Sequence, residues 1–226
     1  MRVRPEAMAA KRGPQRWFFD AWALVYDFPL VQWATYRPVH DAVLQALRAP
    51  SCRRILDLGC GTGQLAARIA QAFPKARVVG CDFSAGMLRR AMARDDAGRW
   101  VQGDAASLPF RDAAFDAIVS TEAFHWFPDQ DAALAECFRV LTPGGRLLLA
   151  FVNTPAELVS DVMHAGSRLV GEPFYWPTTR QMRRRVEAAG FRVEDQRRVF
   201  RLPGFLLLPV LTRAVRAPRG GKRPPP

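Results

Sequence analysis

The chain has 226 residues, of which 49% are hydrophobic and 24% charged, with a formal net charge of +12. That length and apolar share suit one globular domain with a sizeable core and exclude global disorder. The charge points toward an anionic partner, yet residues 1–16 carry +4 and residues 212–226 carry +5, so the body between them holds only +3.

Residues 1–16 read as a flexible basic lead. Residues 17–36 are crowded with aromatics: Trp17, Phe18, Phe19, Trp22, Tyr26, Phe28, Trp33 and Tyr36. With Asp20, Asp27 and Pro29 interrupting them, they argue against a signal peptide or a spanning helix. Residues 17–49 are expected to form an N-terminal helical lid, either closing over an apolar ligand or packing on the sheet edge. Pro38 suits a first helical turn, and Val39, Ala42, Val43, Ala46 and Leu47 follow on one stripe.

From residue 53 onward, strand and helix patterns alternate. Strands are predicted at 53–58, 76–82, 100–104, 115–120 and 146–152. Helices are predicted at 64–73, at 84–94 with Ser84 as cap, and at 129–141. The turn Thr142-Pro143-Gly144-Gly145 is expected to end the last of these. A further helix at 178–189 closes on Gly190, followed by strands at 191–200 and 210–217 with Pro209 at the start. Residues 153–177 are poorly patterned and expected to face the substrate. Five strands alternating with helices imply an α/β fold, a doubly wound and mostly parallel sheet, which the last two strands bring to seven. Residues 50–217 make up this Rossmann-like domain, and residues 218–226 read as a disordered tail.

Cys52, Cys60, Cys81 and Cys137 lack CxxC spacing and read as reduced, small core residues of a cytoplasmic protein, with no metal site.

The sharpest motif is Asp57-Leu58-Gly59-Cys60-Gly61-Thr62-Gly63, between a strand and a helix. Glycines there permit a tight turn and let a ligand approach the backbone. Asp82 ends the next strand, where a carboxylate can accept both hydroxyls of a ribose. A dinucleotide fingerprint needs Gly-x-Gly-x-x-Gly, but Gln64 stands where its third glycine belongs.

The alternate-glycine spacing resembles the first motif of class I S-adenosylmethionine-dependent methyltransferases. Phe83-Ser84-Ala85-Gly86-Met87-Leu88 after Asp82 resembles the small-molecule branch of that family, the methyltransferase type 11 or quinone-methyltransferase-like group. Gly103-Asp104-Ala105, Leu108-Pro109-Phe110, Phe115-Asp116-Ala117-Ile118-Val119 and Leu141-Thr142-Pro143-Gly144-Gly145 extend the likeness over residues 38–152, and more loosely over 178–217. The resemblance implies S-adenosyl-L-methionine as cofactor and S-adenosyl-L-homocysteine as product. It implies that Asp57, Gly59, Gly61 and Gly63 hold the amino-acid end and sugar, and that Asp82 binds the ribose. Phe83 and Met87 would flank the adenine, with Asp104 and Ala105 at its edge. Turn geometry for Gly59 and Gly63, core packing for Met87 and a strand-end cap for Asp104 are the structural alternatives.

A methyl group on a sulfonium is already activated, so alignment, exclusion of water and removal of a proton suffice, without a covalent nucleophile. After the fourth strand the chain reads Ser120-Thr121-Glu122-Ala123-Phe124-His125-Trp126-Phe127. The Asn/Asp-Pro-Pro-Tyr tetrapeptide of nucleic-acid amino methyltransferases is absent, and of the paired glutamates of arginine methyltransferases only Glu122 is present. His125 is the candidate general base, with cofactor contact or packing as its other reading. Phe19-Asp20, Trp22-Ala23 and Val25-Tyr26-Asp27 resemble the entrance of quinone and lipid methyltransferases. The apolar residues 202–211, flanked by arginines, suit a lipophilic acceptor, a shallow membrane contact or simply a buried last strand.

The expected function is methyl transfer to a small, apolar or aromatic, quinone- or lipid-like acceptor, with nucleic acid not expected. The alternatives are an RNA or protein methyltransferase using the basic tails, and a non-catalytic S-adenosylmethionine-binding regulator.

Overall fold

The computed structural model describes residues 36–48, 52–95, 98–169, 175–199 and 208–217. The aromatic run before Tyr36, the basic lead and the last nine residues lie outside these.

The first described helix, α1 (Arg37–Leu47), carries Pro38 in its first turn and buries Val39, Val43 and Leu47. Then β1 (Arg54–Leu58), α2 (Gln64–Ala72), β2 (Arg77–Asp82), α3 (Ala85–Arg94) and β3 (Arg99–Gln102) alternate. β4 (Phe115–Thr121), α4 (Gln130–Val140) and β5 (Leu141–Asn153) follow. The chain closes with α5 (Glu157–Leu169), α6 (Thr179–Ala188), β6 (Phe191–Arg198) and β7 (Leu208–Arg216).

The strands form one seven-stranded sheet in the order β3-β2-β1-β4-β5-β7-β6. The first five are mutually parallel, and β7 runs antiparallel to both β5 and β6. The order reverses at β1, whose two neighbours are β2 and β4. The carboxyl ends of β1, β2 and β4 therefore meet along one edge, where a doubly wound sheet opens a crevice.

Period-two alternation sorts the core onto two faces. Leu56, Leu58, Ile118, Leu147, Leu149 and Phe151 face α4 and α6, packing on Leu134, Cys137, Met182 and Val186. Ile55, Ala117, Val119, Leu148 and Ala150 face α1 and α2, packing on Val39, Val43, Leu65 and Ile69. The described part of the N-terminal segment thus packs on the sheet. Cys60, Cys81 and Cys137 are buried and unpaired.

Three boundaries differ from the pattern reading. β5 starts at Leu141 rather than 146, because Leu141 already pairs with Phe115, while the next pairing is Ala117 with Arg146. The Thr142-Pro143-Gly144-Gly145 turn is therefore a bulge inside the strand, with Gly144 at φ 75°. Residues 153–177, unpatterned in sequence, include the 13-residue α5. Its Leu158 and Val162 point to solvent, so the apolar face that periodicity would seek is not a core face. β3 spans four residues and ends at Gln102, the Gly103 N–H giving its last ladder bond to the Asp82 carbonyl.

Candidate cofactor and acceptor site

At the carboxyl end of β1 the chain reverses direction in three steps. Gly59, Gly61 and Gly63 all take left-handed backbone angles, φ 71°, 54° and 78°, a region that L side chains enter only at a cost. Gly59 and Cys60 both donate their N–H groups to the Cys81 carbonyl of β2, at 2.8 and 3.1 Å. Gly63 then caps α2 without a side chain of its own. The Arg94 guanidinium donates to the Thr62 carbonyl at 3.1 Å, tying the loop to the end of α3.

Asp82 organises the loop from the neighbouring strand. One carboxylate oxygen accepts the Gly61 N–H at 2.8 Å and the other accepts the Ser84 N–H at 2.8 Å. Burial raises its pKa, against these N–H donors, which favour the anion. Ser84 caps α3 by accepting the Met87 N–H. Phe83 projects from this corner 47% exposed, whereas Met87 is 5% exposed and packed inside.

Asp57 lies beneath the loop, 1% exposed. It accepts the Ala66 N–H, but its Oδ2 has no hydrogen-bond partner among the described residues. Burial, reinforced by the Asp82 charge, pushes its pKa up to about 7. Asp104 holds its own turn, Oδ1 accepting the Ala106 N–H at 2.9 Å, with Ala105 between them.

The sheet brings a second cluster to the same edge. After β4 the chain forms a single helical turn, Phe124–Trp126. Ala123 lies so close to the glycine loop that a Cβ on Gly59 would sit 2.4 Å from the Ala123 Cβ. His125 is buried among rings, with centroids 5.1 Å from Trp126, 5.7 Å from Trp176 and 6.3 Å from Phe151. Its Nδ1 has no partner among the described residues, and burial pushes its pKa down to about 3. Tyr175 donates its N–H to the His125 carbonyl, and Gln130 bonds the carbonyls of Phe124 and Tyr175, so this wall is fixed from two sides.

The structure therefore assembles the sequence-selected residues Asp57, Gly59, Gly61, Gly63, Asp82, Phe83, Asp104, Ala105 and His125 along the carboxyl edge of β1, β2, β3 and β4. Met87 lies on the same corner but faces inward. Two contributors, Trp100 and Arg139, and the backbone conformation of a third, Glu122, escaped the sequence reading. Trp100 spreads across Gly63, Gly80 and Gly98, where an added Cβ would come within 2.4 to 2.5 Å of its ring atoms. Arg139 on α4 bonds Glu136, Asp112 and the carbonyls of Leu108 and Phe110, fixing the loop after Ala105. Glu122 adopts φ 50°, which no local pattern in the sequence announces.

A methyltransferase-domain family matches residues 56–149, the span from β1 to β5. A demethylmenaquinone methyltransferase of Deinococcus radiodurans is 34% identical over 190 residues, covering 73% of this chain and 78% of that protein. The chain belongs to the S-adenosylmethionine-dependent methyltransferases. A malonyl-[acyl-carrier protein] O-methyltransferase of Hahella chejuensis is 37% identical to this methyltransferase over 138 residues, covering 60% and 48% of the two chains. The chain spans about half the length of several curated relatives it matches. A Burkholderia thailandensis 1,6-didemethyltoxoflavin-N1-methyltransferase, solved with its substrate and S-adenosylhomocysteine, shares the fold. Its TM-score is 0.69 at 21% identity, covering 96% and 92% of the two chains.

The methyltransferase's own residues suit the family's cofactor chemically. A buried carboxylate oxygen without a donor, at Asp57, matches an ammonium or hydroxyl group. A glycine loop offers close backbone approach, and the exposed Phe83 ring matches the flat face of a purine.

Proposed function

We propose that this methyltransferase moves the methyl group of S-adenosylmethionine to a small, apolar or aromatic acceptor of quinone- or lipid-like character. The observation that carries the proposal is the ring-rich wall beside the glycine loop. Phe124 stacks on Phe151 at 5.8 Å and contacts Phe127 at 5.2 Å, while Trp126 and Trp176 remain half-buried around His125. Phe124 and Phe151 are fully buried and back this wall, so the half-buried rings of Trp126, Phe127 and Trp176 are the ones left to meet a flat apolar molecule and exclude water, which strengthens electrostatics at the reacting atoms. The relatives named for demethylmenaquinone and didemethyltoxoflavin support an acceptor of this kind.

In this reading Asp57, Gly59, Gly61 and Gly63 hold the amino-acid end and sugar, and Asp82 holds the ribose. Phe83 and Met87 bracket the adenine from its open and inner sides, with Asp104 and Ala105 at its edge. When bound, the sulfonium supplies an activated methyl group. The protein's part is to align the acceptor in line with it and keep water out. His125, with its lowered proton affinity, serves as a neutral element of the acceptor wall.

The reading of the basic tails as an RNA-binding device loses part of its support. Arg216 is 5% exposed, its guanidinium 4.5 Å from the Phe138 ring centroid and bonded to the Leu141 carbonyl. Arg213 pairs with Asp195 at 3.4 Å. Among the described residues, no helix is long and apolar enough to cross a membrane.

The deciding test is transfer of a labelled methyl group from S-adenosylmethionine into a cell extract by the purified chain, with mass identification of the product. A labelled small aromatic or prenyl-type product is expected. Label found only in RNA or protein, or cofactor binding without any turnover, would overturn the proposal.

A further inference from the structure

Helix α5 turns its apolar stripe outward. Among the described residues five large apolar side chains are exposed, and three of them, Leu158, Val159 and Val162, lie on this 13-residue helix. Leu158 and Val162 stand one turn apart, 75% and 64% exposed. The opposite side of the helix is the packed one. Ser160 there is fully buried and donates its hydroxyl to the Trp176 carbonyl at 2.8 Å. The His164 ring meets the Tyr175 ring edge-on at 5.1 Å. A helix that packs through a serine and a histidine, with its leucine and valines facing water, presents a surface for a further element to cover.

The chain brings such an element to this corner. Arg146, just past the bulge in β5, donates to the Ala46 carbonyl near the end of α1 at 2.8 Å, and Val39 and Val43 pack on Leu148 and Ala150. α1 therefore runs back along β5. Its ten residues from Ala46 to Tyr36, at about 1.5 Å each, match about five strand residues at about 3.3 Å, which sets Tyr36 level with Phe151 and Val152. Glu122 marks the same level. β5 grips it at both ends, its N–H donating to the Ala150 carbonyl at 2.8 Å and its carboxylate accepting the Val152 N–H. Burial, and then the Glu122 charge nearby, push the Tyr36 phenol up to about 12. α5 starts at Glu157, four residues beyond the end of β5. The chain before Tyr36 thus meets α1 at the corner from which α5 departs.

Residues 17–35 carry seven aromatic side chains, with Asp20 and Asp27 as their only charges, and Lys11, Arg12 and Arg16 precede them. Even as a helix this stretch spans about 28 Å, against about 20 Å for α5. Glu157 and Asp161, each beside a residue of the stripe, are exposed and make no ion pair among the described residues. They suit the basic residues that precede the aromatics. They oppose the other covers, since they would face an anionic lipid surface or their own copies across a two-fold contact.

We propose that the exposed face of α5 is the docking surface for this chain's own residues 17–35. The aromatics cover Leu158 and Val162, and the basic residues before them meet Glu157 and Asp161. Through Ser160 and the Trp176 carbonyl, the contact joins the N-terminal segment to the wall around His125.

The test uses the full chain with the photoreactive p-benzoylphenylalanine in place of Val162, irradiated and mapped by mass spectrometry. Crosslinks to residues 17–35 of the same chain, without a dimer band, are expected. Chymotrypsin, which cuts after aromatic residues, supplies the second measurement. The double variant Leu158→Glu with Val162→Glu is expected to be cut within residues 17–35 roughly tenfold faster than wild type, because the docked state is lost. Both positions face solvent, so circular dichroism of the variant should match wild type. Crosslinks to a second copy, to other parts of the chain or to nothing would overturn the proposal. So would equal cutting of the two proteins, or cosedimentation of wild type with phosphatidylglycerol vesicles that the double variant loses.

Discussion

The Asp82 carboxylate accepts the backbone N–H of Gly61 across 21 positions of sequence, at 2.8 Å. A residue singled out as a ribose ligand thus also sets the shape of the loop it would share the ligand with. Each of its oxygens keeps a further lone pair, so both tasks fit one side chain.

Asp82→Ala is therefore expected to weaken S-adenosylhomocysteine binding by at least about 1.5 kcal/mol, roughly tenfold or more, through lost charge-assisted hydrogen bonds. Asp82→Asn should fall between the two, because its amide oxygen still accepts one N–H. Calorimetry on the folded variants checks this, and unchanged affinity in Asp82→Ala would remove the site assignment.

Gly59→Ala meets two penalties together. The left-handed backbone costs about 1–2 kcal/mol for any L side chain, and the new Cβ would fall 2.4 Å from Ala123. Overpacking of that kind typically costs a further 1–3 kcal/mol or so. A urea midpoint lowered by the corresponding amount, with weaker cofactor binding, is expected. An unchanged midpoint would show that the loop relaxes freely.

Asp57 predicts a pH dependence with a definite sign. Its folded pKa, pushed up to about 7, lies above the ordinary carboxylate value. Between those two values the folded state holds a proton that the unfolded chain has released. Stability of the cofactor-free protein should therefore fall as pH rises from about 4 to about 7, then level off for this group. Glu122, raised to about 8, acts in the same direction and extends the slope. Denaturation midpoints measured across this window should slope less steeply in Asp57→Asn.

His125→Ala should reduce turnover while leaving cofactor affinity intact, because it opens a gap in the ring-lined wall, at a cost of order 2 kcal/mol in stability. His125→Phe fills the gap and removes the unpartnered Nδ1, so it should recover stability and most of the turnover. A folded His125→Phe variant that is inactive would show that the imidazole itself takes part in the chemistry.

The centre of the sheet was readable in sequence because β1 and β4 are buried on both faces and written as short apolar runs, Ile55-Leu56 with Leu58 and Ile118-Val119. The Ser84 cap and the Gly190 stop were legible because each acts within one turn of itself, whereas Thr178, read as the first residue of its helix, is the N-cap of α6. What escaped depends on distant partners. The bulge at Thr142-Pro143-Gly144-Gly145 exists only because Leu141 and Arg146 both pair with β4. Asp116, passed over as an ordinary strand residue, accepts the N–H groups of Arg53 and Arg54 as well as the Arg54 guanidinium, joining the starts of β1 and β4. The glycine spacing pointed to the cofactor side of the site. The conformation of Glu122, imposed by β5, could be seen only in three dimensions.

The placement of β7 has a consequence for how the protein is made. It is an interior strand that follows both of its neighbours in the chain, so during synthesis β5 and β6 must wait without a bridge between them. Until β7 slots in, β5 presents its long apolar edge unpaired and β6 has no sheet to join. A chain that stops before residue 208 would keep an open, sticky flank, the kind of edge along which unfinished chains aggregate.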